Sequence, residues 1–221
     1  MKRLFLLALV EFLALTVAGC GNIFPKPHRT RLYVLTSLSP AAKAIDPSRQ
    51  NSGRAEEEGA HSGAISVGIG PTQLPGYLDR QEIMVRVEPN RFEILEYERW
   101  AEPLDENFTR VLMQNLSALL RTDQIFAYPW PRSKKLSYRV DVQVLRFDSN
   151  SAGAAELLAR WNIIDVNRNE RVGSNELRIV QRAKDNSIDA VVTALSDTVA
   201  DLSREIARTL MKQGAAGVNN F

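Results

Sequence analysis

Two stretches of the chain repeat apolar residues at three- and four-residue spacing, and several shorter ones alternate apolar with polar positions. Over residues 103–121, Leu104, Phe108, Val111, Leu112, Leu116 and Leu119 share one helical face. Pro103 suits a first helical turn, and Asp105 and Glu106 favour its positive end. Over 187–212, Ile188, Val192, Leu195, Val199, Leu202, Ile206 and Leu210 make a second continuous stripe. Period-two alternation predicts strands at 64–69, 83–87 and 92–97, with Glu88-Pro89-Asn90-Arg91 as the turn between the last two. A long strand is predicted over 136–147, with Leu136, Tyr138, Val140, Val142 and Val144 on one face. Its apolar phase slips at Leu145, which predicts a bulge. Another strand over 155–166 turns Leu157, Ala159, Trp161 and Ile163 inward. Asn167-Arg168-Asn169-Glu170 then reverses the chain into a strand over 171–181.

Two shorter strands complete the set. Residues 30–35 place apolar side chains on both faces, which predicts burial on both, and 125–127 form a brief strand. Strands with one polar face and two amphipathic helices predict an α+β fold. It is a two-layer sandwich, with a mixed, mainly antiparallel sheet and both helices on one face. Residues 39–63 are rich in Pro, Ser, Gly, Ala and charge without an apolar period, and read as a flexible insertion within a domain spanning 30–213. Glu56-Glu57-Glu58 inside it reads as solvated charge. The tail 214–221 is small and polar and is expected to fray.

The first nineteen residues have a different character. Lys2 and Arg3 precede an apolar run that ends at Val17-Ala18-Gly19-Cys20, a secretory signal layout. The run is too short, and Glu11 too central, for a comfortable membrane span. The ending resembles a bacterial lipobox, which implies cleavage before Cys20 and lipidation of its thiol and new amino group. More than one acyl chain gives stable anchoring, at about 0.8 kcal/mol per buried CH2. Residues 20–29, with Pro25 and Pro27, then form an extended tether. Gly21, the residue after the modified cysteine, is not Asp. In the sorting rule this signal resembles, that sends the protein to the outer membrane with its domain in the periplasm.

Composition narrows the chemistry. With 28 basic and 26 acidic residues the net charge is +2, which argues against a nucleic-acid binder. Cys20 is the sole cysteine, so neither an intrachain disulfide nor a cysteine zinc site can form. His28 and His61, both in polar stretches near the N-terminus, offer no histidine triad or metal centre within a folded core. Asp105, Glu106, Glu93 and Glu96 have no nucleophile, phosphate loop or metal-ligand spacing around them. The sequence therefore predicts no enzyme, no cofactor and no metal.

Three segments remain as candidates for contact with a partner. Leu74-Pro75-Gly76-Tyr77-Leu78-Asp79-Arg80 can present Leu74, Tyr77 and Leu78 from a loop stiffened by Pro75, as an interface anchor does. The same leucines can instead fold back onto the core, with Arg80 paired to Asp79 or another acid. Trp100 and Leu104 in RWAEPL either pack at the helix entry or reach a partner. Tyr128-Pro129-Trp130-Pro131, followed by Arg132, Lys134 and Lys135, is either a capped loop or an aromatic and basic surface for a membrane or partner.

Taken in order, the lipobox at Cys20, Tyr33-Val34-Leu35, Val67 to Arg80 (VGIGPTQLPGYLDR), Arg99 to Leu104, Trp161 and the C-terminal amphipathic helix resemble the ABC-type transport auxiliary lipoproteins, the PqiC/YmbA-like family. The resemblance covers nearly all the mature chain apart from 39–63. It implies a non-catalytic adaptor that works beside an MCE-domain protein and the components of an ABC transporter in intermembrane lipid transport. It also implies a homo-oligomeric ring. The alternative is a stand-alone lipid-binding or envelope-integrity lipoprotein, which would need an apolar pocket of about 300 Å3 or more between helix and sheet.

Overall fold

The computed structural model describes residues 29–38 and 65–218. Cys20, the tether 20–29 up to residue 28, and the insertion 39–63 lie outside the described residues. The chain runs through β1 (Arg31–Tyr33), β2 (Val67–Gln73), β3 (Glu82–Glu88), β4 (Arg91–Trp100), α1 (Leu104–Leu120), β5 (Ile125–Ala127), β6 (Tyr138–Asn150), β7 (Ala154–Asp165), β8 (Glu170–Arg182) and α2 (Ile188–Val218). The eight strands form one mixed sheet, and both helices lay their apolar stripes on the same face, as an α+β sandwich.

The sheet forks along β6. On one side β6 pairs antiparallel with β7 over nearly its whole length, and β7 with β8. On the other side β6 changes partner. Its first half runs parallel to β2, from Val67 opposite Tyr138 to Gln73 opposite Gln143. Its far end runs parallel to β3, with Val85 opposite Ser149. β5 extends the β2 branch, and β4 and β1 extend the β3 branch. The antiparallel pairings are the long ones, whereas the parallel pairings are short. The register of β6 shifts between Val144 and Arg146, where the apolar phase slips. There the inward series Val140, Val142, Val144 jumps to Phe147.

Two expectations are corrected. Burial on both faces of the first strand does not hold: among the described residues β1 is a three-residue edge strand paired with β4, and the helix layer covers one of its faces. Tyr33 and Leu35 are buried, but Leu32 is 65% and Val34 43% exposed. Nor does the second helix end near residue 212. α2 continues to Val218, and Gly214 lies so close to Ile65 that a Cβ would come within 2.9 Å of its Cδ1. Small residues that offer little to a core can still extend a helix that tertiary contacts have started.

After β1 the chain leaves the sheet and passes over the helix layer. Its backbone donors find side-chain acceptors there: Leu35 N–H donates to Asn107 Oδ1 at 2.8 Å, Thr36 N–H to Ser196 Oγ at 3.1 Å, and Leu38 N–H to Asn115 Oδ1 at 2.6 Å. Asn115 also donates to Ser203 Oγ at 3.1 Å, tying α1 to α2. Asn107, Asn115, Ser196 and Ser203 are all buried, and these bonds satisfy polar groups that would otherwise be costly inside a helix interface.

Candidate functional site

The connection between β2 and β3 fills the fork in the sheet. Pro75 opens a short 3-10 turn over Gly76–Leu78, closed by Leu78 N–H to Pro75 O at 2.9 Å and Asp79 N–H to Gly76 O at 3.2 Å. Tyr77 points across the fork. Its phenol donates to Asp148 Oδ2 at 3.0 Å and accepts from Phe147 N–H at 3.4 Å, on the stretch of β6 left open between its two partners. Its ring stacks on Phe92 at 5.1 Å. Burial, and then the charge of Asp148, push the Tyr77 phenol up to about 12.

Asp148 is buried and heavily engaged. Arg86 meets both of its oxygens, at 3.1 and 2.8 Å, and Arg146 Nε reaches Oδ1 at 3.0 Å. Arg146 continues to Glu156 at 3.1 Å, and Arg178 closes the chain on Glu156 at 2.7 Å. The Arg86 guanidinium lies 4.1 Å over the Phe92 ring. This ladder crosses β3, β6, β7 and β8 on the sheet face away from the helices, and it fixes Tyr77 and therefore the loop. A buried carboxylate is tolerable only when hydrogen-bonded and paired in this way.

The other side of the loop faces the entry of α1. A cleft of about 450 Å3 separates Leu74, Pro75, Gly76 and Leu78 from Ala101 to Asp105. Leu104 and the two prolines give it an apolar lining, with Asp79, Arg80, Glu102 and Asp105 around them. Glu102 is held by Arg110 and by Asn107, and those hydrogen bonds keep its carboxyl below the usual carboxylate range. Pro103 occupies the N-cap of α1 and supplies no side-chain cap. Gly76 stands at open space, with nothing within 4 Å of where a Cβ would sit.

The structure thus brings together two segments, Leu74 to Arg80 and Trp100 to Leu104, whose residues are 20 to 30 positions apart in sequence. It divides their residues by role. Leu78, Trp100 and Leu104 are buried in the core, and all three line a residual pocket of about 20 Å3 beneath the loop. Leu74 and Tyr77 are half-buried and packed against the core. Pro75, half-buried, lines the cleft. Arg80 is exposed and makes no ion pair among the described residues, with Asp79 beside it also exposed. In the Tyr128 to Pro131 connection, Tyr128 is 58% exposed and packs edge-on against Trp130 at 5.4 Å. Lys134 lies 5.2 Å over the Phe126 ring.

Asp148, Arg86, Phe92, Arg146 and Glu156 were not legible as a group. Asp148 lies beyond the predicted end of its strand, and the bulge decides which face it takes. Asn115 carried a usable signal, an amide set within the apolar stripe of a helix.

Among the described residues no group of three or more His, Cys, Asp or Glu side chains could hold a metal ion. No described helix is long and apolar enough to cross a membrane.

A family model described as the ABC-type transport auxiliary lipoprotein component matches residues 49–207. Among solved structures, the crystal structure of an uncharacterized protein aligns with a TM-score of 0.59 at 20% identity, over 66% of this chain and 92% of that one. Protein XCC0632 from Xanthomonas campestris, assigned to DUF330, aligns with a TM-score of 0.58 at 15% identity, over 69% of this chain and 88% of its own. These two likenesses show a shared fold. A PelC dodecamer from Paraburkholderia phytofirmans aligns at only 0.38 and 13% identity, over 64% and 88%, too remote to bear on assembly. No curated protein sequence matches the chain.

Proposed function

The chain belongs to the ABC-type transport auxiliary lipoprotein component family, and from that premise we propose that it is a membrane-anchored, non-catalytic adaptor of an MCE/ABC-type intermembrane lipid transport system. On this reading Cys20 carries the lipids, Gly21 directs the anchor to the outer membrane, and the domain faces the periplasm. The working surface is the cleft between the Leu74 to Arg80 loop and the entry of α1, which receives a segment of the MCE-domain partner or of a neighbouring subunit in a ring. The observation that carries this reading is the cleft itself. One wall is pinned to the sheet through Tyr77 and Asp148, and the other is a helix start. A rigid, partly apolar concavity suits an anchor-in-pocket interface.

The core between helices and sheet is filled, which supports an adaptor over a carrier that encloses its ligand; the groove of about 550 Å3 that Met113 of α1 forms with Ile69, Pro71 and Ala127 is open to solvent. Phe108, Phe147, Leu112, Leu116, Leu202 and Ile206 are fully buried between helices and sheet. The pocket beneath the loop, at about 20 Å3, has room for a water molecule and none for an acyl chain.

Gly76→Trp tests the reading. Its side chain enters open space at the cleft mouth, so the fold should hold while the cleft is blocked. The tagged full chain should recover the MCE-domain protein and the ABC components encoded with it, and Gly76→Trp should lose them at unchanged melting temperature. Failure of the wild-type chain to recover them would overturn the adaptor role. Equal recovery by both forms would move the interface elsewhere.

A further inference from the structure

On the sheet face turned away from the helices, a second groove of about 430 Å3 lies beyond the cleft just described. Its floor comes from the polar positions of β6 and β7. Asp141 stands opposite Asn162, and Gln143 opposite Arg160. Its wall is Tyr128 and Trp130. The wall is built in: Gly68 leaves room for Trp130 to lie on the sheet, where a Cβ would come within 3.0 Å of the indole and 2.5 Å of Leu136.

The charges are already matched. Arg139 Nη2 donates to Asp141 Oδ2 at 3.2 Å, and Nε faces Oδ1 at 3.1 Å, too poorly angled for a second hydrogen bond. Arg160 donates to Glu176 Oε2 from both Nε and Nη2, at 3.1 and 2.6 Å. Each cation already has a carboxylate beside it, so the groove carries no net positive charge to favour a phosphate or carboxylate. The side chains of Gln143 and Asn162, in contrast, make no hydrogen bond among the described residues. Each offers two donors and an acceptor from a plane held by the sheet.

We propose that this groove binds a neutral glycan strand of N-acetylated sugars. A pyranose ring presents an apolar C–H face to an aromatic wall and hydroxyl groups to planar polar side chains. An acetamido group carries one donor and one acceptor, which the free amides of Gln143 and Asn162 match reciprocally. The volume falls within the range of about 300–1,000 Å3 usual for small-ligand sites. The site is separate from the adaptor cleft, and its test does not depend on that reading.

Chitotetraose is the probe, titrated into the full chain held in a detergent with no sugar headgroup. Trp100 and Trp161 are buried, so a change in tryptophan emission reports Trp130. We expect a saturable change, weakened about tenfold or more in Tyr128→Ala and in Asn162→Ala. Gln143→Ala, at an exposed position, serves in place of either variant whose circular dichroism spectrum departs from wild type. Absence of saturation up to about 20 mM overturns the proposal. So does equal affinity in the folded variants, or saturation by phosphatidylglycerol vesicles with no response to the sugar.

Discussion

The phenol of Tyr77 donates to Asp148 Oδ2 at 3.0 Å across the point where β6 exchanges one parallel partner for another. One hydrogen bond thus joins the loop that forms the cleft to the ladder of charges that fixes the sheet. Tyr77 is a poor probe of partner contact for that reason, because its loss disturbs the fold first.

Urea unfolding should resolve the two parts of this tie. Tyr77→Phe keeps the stacked ring on Phe92 and removes the donor to a buried carboxylate, at a cost of about 1–2 kcal/mol. Tyr77→Ala also empties the ring's place and should cost about 2–4 kcal/mol. A Phe variant as stable as wild type would mean that the bond contributes nothing net.

The same phenol predicts a loss of stability in alkali. Tyr77 is pushed up to about 12 by burial, and Tyr33 likewise by burial and by the neighbouring charge of Glu98. In the unfolded chain both ionise near 10. Between those values the unfolded chain has released protons that the folded chain keeps. The stabilisation is therefore complete below about pH 10 and drains away as pH rises through about 12. Chemical denaturation at stepped pH should show the fall, and Tyr77→Phe should make it shallower. A slope unchanged by that variant would place the titration elsewhere.

Asn115→Leu replaces a buried amide by a side chain of similar size. It strips Leu38 N–H of its acceptor and Ser203 of its donor. The expected cost is about 1–3 kcal/mol, or a melting temperature lower by about 3–10 °C for a chain of this length. An unchanged melting curve would show that the helix pair does not depend on the amide.

Anchoring should depend on Cys20 alone, the only thiol in the chain. Cys20→Ser should abolish metabolic labelling with palmitate and leave the precursor uncut between Gly19 and Cys20. Normal processing and labelling of that variant would sink the lipoprotein anchor at this position.

Much of the fold was legible because burial writes itself into periodicity. Leu104, Phe108, Val111, Leu112 and Leu116 on α1, and Val192 to Leu210 on α2, are buried where the spacing placed them. The alternation of β6 and β7 even marked the bulge at Leu145. Of the candidate site, the sequence offered the two segments but not their meeting, nor which of their side chains would turn inward.

Pattern records which side of an element faces apolar surroundings, and for this chain that determined two helices, the long strands and their shared core face. It carries no information on which strands pair, since backbone hydrogen bonds look alike from every side chain. Only the tertiary structure decided that β6 would serve both β2 and β3. That pairing opened a gap which Tyr77 fills, and it assembled Arg86, Asp148, Arg146, Glu156 and Arg178 from four strands into one ladder. It also left Leu32 and Val34 exposed, because the helix layer covers only the side that Tyr33 and Leu35 take. The free energy of each of these features comes from groups far apart in sequence, and only folding sets the distances between them.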